Sequence, residues 1–565
     1  MNHFKNKFFK QILQMALLVS SSVALAQLSP VTPVRPVRPP VTPVRPVGPL
    51  PILKENEKGF VLNPLSQKAL SLHLQAYKAK RLILSQPDPE TFERYQELLH
   101  KLYPPGAFQL KSLYLSPEIL EARREAPLQP IANPRLRVTD ERVILKYKMI
   151  DPRLIKRWGS KNGLVDIFVP QNLYDNTAAY DINLHFTNNP PTNVENGLTV
   201  KAAIDRYMAD LQKAGYWTQL YKISGGTPVE IKNTLVADQK WGLVGSVFIG
   251  STPSAWYRNA SDFDGVAAEF PMDLYYMDLD GVWADANHDG RFESHTGDVE
   301  PEIWVGHIGG NVPVTGKSEG QIIAEYLSRN HFFRTRDMVH FPQRLFSHSG
   351  SSIVYRALAF HDDDWADQGA SQYLNGITFN NRVLVNDSVG TNATNYLDKI
   401  SEVPGGYFYI HLMAHSSPTS HAFKTGSAWS GGSLTSNDLN SHLRRAHFYN
   451  LFNCSGAKFT VNDYLGGMYV LGNDYGLGAI GSAKTGSMLN FDVYYALLAG
   501  KLKADQADLA DDWDVVVGKP ANTGTAFLKW FRYIAKGGFN NDEKAWHYGM
   551  VYIGDPTLFT NWNLN

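Results

Sequence analysis

The sequence contains a single cysteine, Cys454, among 565 residues. One thiol cannot form an intramolecular disulfide, which excludes the small disulfide-stabilised scaffolds common among exported proteins. Free cysteines in folded proteins are mostly buried and unreactive, so composition alone favours a structural role for Cys454. The residues around Cys454 therefore decide whether it has a chemical role.

The sequence also lacks an excess of charge of either sign. Lys and Arg together number 54, and Asp and Glu together number 54, so the formal net charge is zero. A balanced chain has no long-range field that would attract nucleic acid or anionic lipid. We therefore predict that nucleic acid is not a partner of this protein.

Long apolar runs are scarce, and the one informative run lies at the N-terminus. Basic residues within positions 1–10 are followed by an apolar stretch at 12–19 and by small residues at 24–26. This order is typical of a secretory signal peptide, here residues 1–26, with cleavage before Gln27. Beyond it, no stretch of 18 uninterrupted apolar residues predicts a membrane span. We expect a secreted or periplasmic protein with no integral membrane segment after signal cleavage.

The length exceeds that of one domain, for which about 100–200 residues is usual. Residues 27–54 form a Pro-rich linker of extended polyproline character. Residues 55–135 show helical spacing of apolar side chains and are predicted to be a helical region, which we interpret as a prosegment. Residues 136–565 are predicted to form the main domain.

Short apolar runs alternate with helical stretches throughout the main domain. The predicted strands are residues 164–169, 218–223, 243–249, 357–360, 407–414, 447–452 and 477–481. Strands that alternate with helices indicate an α/β fold with a mostly parallel sheet and helices on both faces. Functional sites in such folds form beyond the carboxyl ends of strands.

Two of the predicted strands end at residues with catalytic potential. Residues 407–414 lead directly to His415, and residues 447–452 lead to Cys454. A thiol becomes a strong nucleophile when a neighbouring base favours the thiolate. Small residues follow both positions and allow a substrate carbonyl to approach backbone N–H groups. The pattern favours a Cys-His nucleophilic site.

These segments resemble the gingipain family of caspase-fold cysteine peptidases. The family carries a strand ending in His and, some tens of residues later, a strand ending in Cys; here the two residues are 39 positions apart. Three further segments are similar to family motifs and occur in the family's order: residues 301–306, 478–482 and the Gly-Asp-Pro-Thr segment within 552–558.

The resemblance implies a caspase/gingipain-like fold and a peptidase that cleaves protein or peptide substrates through a Cys-His thioester mechanism. Cys454 would attack the scissile carbonyl, and His415 would accept the thiol proton. Glu302 would orient His415, and the N–H groups of Ser416 and Cys454 would form the oxyanion hole. Ser416 replaces the family's glycine, and Gly320 stands where arginine-directed members carry an aspartate, so arginine specificity is not predicted.

A zinc site is an alternative interpretation of the same stretch. His411, His415 and His421 have the spacing of a metzincin zinc motif. Leu412 stands where that motif needs its glutamate base, and Pro418 stands where it needs glycine. The spacing alone therefore leaves a zinc metallopeptidase as a weaker alternative.

An acidic segment upstream matches the first half of an EF-hand calcium loop. Oxygen-bearing side chains occupy loop positions 1, 3, 5 and 9, with Gly290 at position 6, where the loop turns sharply. The resemblance also implies calcium, as a structural cofactor. The predicted ligand set is Asp285, Asn287, Asp289, Arg291, Glu293 and Asp298.

Two further functions remain open on the sequence. A catalytically inactive binding or adhesion module on the same fold would be compatible with Ser416 in place of glycine. A peptide ligase or transpeptidase would use the same thioester, because an amine can intercept it in place of water.

Overall fold

The computed structural model describes the residues in the ranges 143–147, 162–183, 194–335, 356–366, 374–378, 381–402, 406–425, 428–500 and 519–560. All of them lie in one compact unit, Phe60–Asn565. The predicted signal peptide (1–26), Pro-rich linker (27–54) and helical region (55–135) lie outside the described residues.

The strands are short and follow one another closely along the chain. In chain order they are β1 (Val143–Tyr147), β2 (Leu164–Pro170), β3 (Ala179–Asn183), β4 (Val194–Thr199), β5 (Trp217–Ser224), β6 (Leu243–Ile249), β7 (Trp256–Asn259), β8 (Ala268–Pro271), β9 (Val282–Ala284), β10 (Arg291–Phe292), β11 (Ser294–Thr296), β12 (Trp304–Ile308), β13 (Ala357–His361), β14 (Arg382–Val385), β15 (Tyr407–Met413), β16 (His415–Ser417), β17 (Ser420–Ala422), β18 (Ser433–Thr435), β19 (Ala446–Phe452), β20 (Gly478–Ser482) and β21 (Met550–Gly554).

Helices occupy much of the chain between the strands. They are α1 (Gln171–Tyr174), α2 (Val200–Lys213), α3 (Pro228–Gln239), α4 (Leu274–Met277), α5 (Glu319–Thr335), α6 (Asn375–Thr378), α7 (Ala393–Ser401), α8 (Ser436–Asn440), α9 (Leu465–Val470), α10 (Phe491–Leu498), α11 (Thr523–Ala535) and α12 (Asn541–His547). Local sequence sets several of their starts. Thr199 accepts a hydrogen bond from the N–H of Ala202 at the start of α2, and Thr227 and Glu230 form a capping box at the start of α3.

Eleven of these strands form one sheet in the order β1-β5-β2-β6-β12-β21-β20-β19-β15-β13-β14. Neighbours are parallel except at β1–β5 and β20–β21. The predicted α/β fold with a mostly parallel sheet is thereby confirmed. Every residue of β15 and of β19 is buried. Since successive side chains of a strand point to opposite faces, both faces of the sheet are covered.

The antiparallel pair β20–β21 divides the sheet into two halves that run in opposite directions. The carboxyl ends of β13, β15, β19 and β20 therefore meet at one edge of the sheet. The amino ends of β21 and β12 lie at that same edge. This edge carries the residues that the sequence predicts to be catalytic.

The Gly-Asp-Pro-Thr segment after β21 has a packing role. The Asp555 carboxylate is fully buried and pairs with the Arg334 guanidinium from α5. It also accepts hydrogen bonds from the Asn330 side chain at 2.8 Å and from the Thr557 N–H at 3.0 Å. A buried charge needs such partners. The Gly-Asp-Pro-Thr segment therefore links β21 to α5.

None of the helices in the described ranges combines the length and the apolar character that crossing a bilayer requires.

Candidate catalytic site

The register between β15 and β19 brings His415 and Cys454 to neighbouring strand ends. The two strands are parallel, and Met413 lies opposite Phe452. The N–H of Ala414 donates to the carbonyl of Phe452 at 3.2 Å. His415 and Cys454 each lie two residues beyond this opposed pair, so they emerge side by side at the same edge of the sheet.

A side-chain hydrogen bond ties the two segments together beyond the strands. The Ser416 hydroxyl donates to the carbonyl of Cys454 at 2.5 Å. His415 and Cys454 are each 4% exposed. The Ser416 side chain thus holds the His415 and Cys454 segments together.

The backbone turns sharply immediately after Cys454. Ser455 has a φ of +58°, a left-handed conformation that L-residues other than Asn and Asp seldom adopt. Its N–H donates to the carbonyl of Lys484 at 2.7 Å. A side chain at Gly456 would come within 2.3 Å of Asn453 Oδ1, so this position needs glycine. These constraints fix the turn that follows the thiol.

The carboxylate that contacts His415 comes from the turn that follows β13, the strand next to β15. His415 Nε2 lies 2.8 Å from Asp364 Oδ2 and 3.8 Å from Asp362 Oδ1. Asp364 belongs to a 3₁₀ turn, Asp363–Trp365, directly after β13. Asp362 stabilises that turn by accepting a hydrogen bond from the N–H of Asp364 at 3.1 Å. With Nε2 held by Asp364, Nδ1 is the ring nitrogen left to exchange a proton with a thiol.

The expected role of Glu302 as the group that orients His415 is corrected by this geometry. Glu302 precedes β12, which lies four strand spacings from β15 in the sheet order. Four spacings of about 4.8 Å amount to roughly 19 Å. The Glu302 carboxylate instead accepts a hydrogen bond from the N–H of Leu279 at 2.6 Å. The segment 301–306 therefore contributes to the sheet, and the carboxylate in contact with His415 is that of Asp364.

Charges around His415 keep the imidazole and its carboxylate partner in complementary states. Burial lowers the pKa of His415, while the hydrogen bond to Asp364 opposes that shift. Burial alone would raise the pKa of Asp364, but hydrogen bonds from His415 and from Lys424 outweigh it and hold that pKa below its usual value. Lys424 Nζ lies 2.7 Å from Asp364 Oδ2. Burial of His415 thus favours the neutral imidazole, which can accept a proton, and the hydrogen bonds to Asp364 favour its ionised carboxylate.

Asp362 differs from Asp364 although both follow the same strand. Burial raises the pKa of Asp362 to about 7, against the effect of hydrogen bonds from the backbone N–H groups of Lys424 and Asp364. Asp362 therefore acts mainly as a hydrogen-bond acceptor that holds the turn and the Lys424 segment.

The three histidines of the zinc alternative do not form a metal site. His411 lies inside β15, and a four-residue step along a strand covers about 13 Å rather than one helical turn. His411 Nδ1 contacts the Tyr495 hydroxyl, and His421 Nε2 lies 3.0 Å from the Tyr469 hydroxyl. The metzincin-like spacing is a coincidence of sequence, because that motif depends on a helix.

The predicted calcium loop has the backbone shape of a cation-binding loop. Asp285 accepts hydrogen bonds from the N–H groups of Asp289 at 3.1 Å and Gly290 at 2.9 Å, and Gly290 has a φ of +84°. The Arg258 guanidinium, however, donates to Asp289 at 2.9 Å and to Glu293 at 3.0 Å. The residues therefore fit calcium in backbone shape, while an arginine already neutralises two of the predicted ligands.

The remaining members of the predicted calcium set have other partners. The Arg291 side chain binds Glu269, with Nε at 2.8 Å from the carboxylate. The Asn287 side-chain amide donates to Asp289 at 3.2 Å. Asp298 accepts a hydrogen bond from the N–H of Glu300 at 3.3 Å.

A separate acidic cluster surrounds Glu302. Asp278, Asp280 and Glu302 each offer a carboxylate oxygen, and the three atoms lie within 4.8 Å of one another. Burial raises the pKa of Glu302 to about 7, and burial lowers the pKa of the neighbouring Lys232 to about 8. The ammonium of Lys232 lies over the Tyr275 ring, 4.7 Å from its centroid. The lysine thus supplies positive charge next to these carboxylates.

Sequence reasoning missed Asp364 and Lys424. A usable signal was present for Asp364, because an acidic run at 362–364 follows the predicted strand 357–360 just as His415 and Cys454 follow theirs. Lys424 carried no such signal, since it lies on a loop. Its place depends on a hydrogen bond from its own N–H to Asp362 at 2.5 Å.

The chain is similar to solved structures at low sequence identity. The chain is similar to the crystal structure of the Arg-specific cysteine proteinase gingipain R (RgpB), with a TM-score of 0.45 and 12% identity over 73% of this chain and 80% of that chain. It is similar as well to a complex of Porphyromonas gingivalis RgpB pro- and mature domains, with a TM-score of 0.44 and 11% identity over 70% of this chain and 79% of the other.

No protein-family model matches the sequence. No curated protein matches it either.

Proposed function

We propose that this protein is a cysteine endopeptidase in which Cys454 is the nucleophile, His415 the general base and Asp364 the residue that orients His415. The observation that carries the proposal is the strand register, which brings the thiol and imidazole segments side by side while Asp364 holds Nε2 of the imidazole at 2.8 Å.

The proposed reaction uses these groups in two steps. His415 takes the proton of the Cys454 thiol, and the thiolate attacks the scissile carbonyl to form a C–S bond. The C–N bond then breaks, and His415 returns the proton to the leaving amine. Water, activated by the same imidazole, cleaves the thioester and releases the acid and the free thiol. We propose the N–H groups of Ser416 and Cys454 as the donors that stabilise the oxyanion.

Labelling of the folded protein tests the nucleophile directly. Because Cys454 is the only cysteine, a stoichiometric adduct with a thiol-selective peptidyl electrophile identifies Cys454 as the residue that reacted. We expect an adduct with wild type, a rate lowered in His415→Ala and no adduct in Cys454→Ala. Peptidase activity that persists in Cys454→Ala would contradict the proposal.

The low exposure of both residues favours a second candidate, an inactive binding module on the same fold. Cys454 and His415 at 4% exposure would then be parts of the core. Peptide binding that is unchanged by Cys454→Ala, without turnover of any member of a broad peptide library, would support this candidate over the first. Adding an amine nucleophile to the same assay separates a transpeptidase, which forms amide products, from a hydrolase.

We further propose that the protein is exported and made as a zymogen. Cleavage before Gln27 would remove the signal peptide, and cleavage between about residues 125 and 165 would remove the helical prosegment. Mass spectrometry of the exported and matured forms checks both positions. A full-length exported form as active as a chain beginning near residue 160 would exclude the zymogen.

Calcium is proposed as a structural ion at the loop that begins at Asp285. Binding there would require Arg258 to release Asp289 and Glu293. We expect added calcium to raise the melting temperature of wild type and to have no effect on Asp285→Ala. An equal rise in both proteins, or in neither, would remove the loop from consideration as a calcium site.

A further inference from the structure

Trp429 is an exposed aromatic side chain in direct contact with the candidate catalytic base. Its side chain is 46% exposed. Among the large apolar side chains that are exposed in the described ranges, Trp429 is the aromatic one. The Trp429 and His415 rings have centroids 4.7 Å apart and an interplanar angle of 66°. The other side of the site is closed by Trp365, fully buried, whose ring centroid also lies 4.7 Å from that of His415.

The loop that carries Trp429 is held firmly at its base. Phe423 and Gly432 are joined by a backbone hydrogen bond of 3.0 Å, and Thr425 and Ala428 by one of 2.9 Å. Phe423 is fully buried and anchors the loop in the core. The described residues that flank Trp429 are therefore held by backbone hydrogen bonds, and little ordering would be needed when a ligand covers its exposed surface.

Lys424 lies on the same loop as Trp429 and contacts its ring. Its Nζ lies 4.9 Å from the centroid of the Trp429 ring and 2.7 Å from Asp364 Oδ2. Trp429 thereby belongs to one connected group with His415 and Asp364. The positive charge beside the ring disfavours a second cation there and leaves apolar contact as the interaction available to a ligand.

The chemistry of the proposed reaction decides which part of a substrate reaches this ring. His415 must protonate the leaving amine, so that amine lies against the imidazole. The residue that contributes the amine is the one directly after the scissile bond, the P1′ residue. Its side chain is therefore the substrate side chain that starts closest to a ring packed on His415.

We propose that Trp429 is a specificity-determining residue that binds a large apolar or aromatic P1′ side chain of the peptide substrate. This inference rests on the proposed peptidase function. Stacking of Phe on the Trp429 ring, or burial of Leu against it, corresponds to roughly a 3- to 10-fold preference in kcat/KM over Gly at P1′.

The test uses internally quenched peptides that differ only at P1′, with Phe, Leu, Lys and Gly. We expect wild type to prefer Phe and Leu by roughly 3- to 10-fold over Gly and to disfavour Lys. Trp429→Ala should bring the Phe-to-Gly ratio close to one, and Trp429→Phe should retain most of it. A general disturbance of His415 would lower kcat/KM equally for all four substrates. A change in the Phe-to-Gly ratio of kcat/KM therefore reports on the contact between Trp429 and the P1′ side chain.

Leu443→Ala is the matched control. Leu443 is 43% exposed, similar to Trp429, but precedes β19 at the end of the strand opposite Cys454. This variant should keep the wild-type ratio. A Phe-to-Gly ratio that is the same in wild type and Trp429→Ala would overturn the inference, while the peptidase proposal would stand. If the wild-type protein cleaves none of the peptides, the peptidase proposal is overturned, and the subsite proposal with it.

Discussion

Asp364 Oδ2 accepts hydrogen bonds from both His415 Nε2, at 2.8 Å, and Lys424 Nζ, at 2.7 Å. One carboxylate oxygen thus joins the candidate base to a cation that arrives from a separate loop. Burial lowers the pKa of the imidazole, and the two neighbouring charges act on it in opposite directions, since Asp364 raises this pKa and Lys424 lowers it. These opposite signs make the arrangement testable by substitution.

Replacing Asp364 should impair the reaction and move its pH dependence. In Asp364→Asn we expect kcat/KM to fall by about 10²- to 10⁴-fold, because the imidazole loses the group that orients it. Activity is lost as pH falls through the His415 pKa. Without the Asp364 charge this pKa is lower still, so the acid limb of the pH–rate profile should shift to lower pH. Asp363→Asn, whose side chain instead accepts a hydrogen bond from Thr391 at 3.3 Å, is the control.

Replacing Lys424 should move the same limb in the opposite direction. Lys424→Met removes a positive charge that lowers the pKa of His415, so this pKa should rise and activity should be lost at a higher pH than in wild type. Lys424→Arg keeps the charge and should keep the wild-type profile. The measurement is kcat/KM against pH for the three proteins. An acid limb that stays in place in Lys424→Met would show that the lysine has a structural role alone.

The sequence predicts the parts of this site that directly follow strands of the sheet. His415 and Cys454 follow long apolar runs, and parallel strands deliver their carboxyl ends to one edge, so their proximity could be inferred without coordinates. The α/β class followed from the same alternation of strands and helices.

The partner of His415 could not be inferred in the same way, because it depends on which strand lies beside β15. That order, β13-β15-β19, is a property of the assembled sheet. A motif resemblance predicts Glu302, whereas the sheet order separates its strand from β15 by three others. Lys424 and Trp429 lie on a loop whose position is set by tertiary hydrogen bonds, and no periodic pattern marks such residues.

Glu302→Gln tests whether Glu302 has any part in orienting His415. The sheet order puts Glu302 about 19 Å from the His415 strand, so we expect kcat/KM and its acid limb to remain within about twofold of wild type. Assays of Glu302→Gln and Asp364→Asn on one substrate compare the two carboxylates directly. A loss of 10²-fold or more in Glu302→Gln with the fold intact would restore Glu302 as the orienting residue.

Asp555 provides a prediction about stability rather than activity. Its carboxylate is fully buried and is paired with Arg334, whose side chain is 7% exposed. Asp555→Ala would leave that guanidinium buried without its counter-ion. Loss of one partner of a buried pair costs about 3–5 kcal/mol, so we expect the free energy of unfolding at pH 7 to fall by about that amount.

The pH dependence of this loss gives the sign of the interaction. Burial would raise the pKa of Asp555, but the charge and hydrogen bonds of Arg334 outweigh it and lower that pKa in the folded state. The pair therefore stabilises the fold above the unfolded pKa, about 3.8, and its contribution is lost as pH falls through the lower folded value. Urea unfolding of wild type and Asp555→Ala should give midpoints that differ clearly at pH 7 and converge in acid.

The double variant Asp555→Ala/Arg334→Met should be less destabilised than the two single changes added together, because neither charge is then left unpaired. Strict additivity would mean that the two side chains act independently.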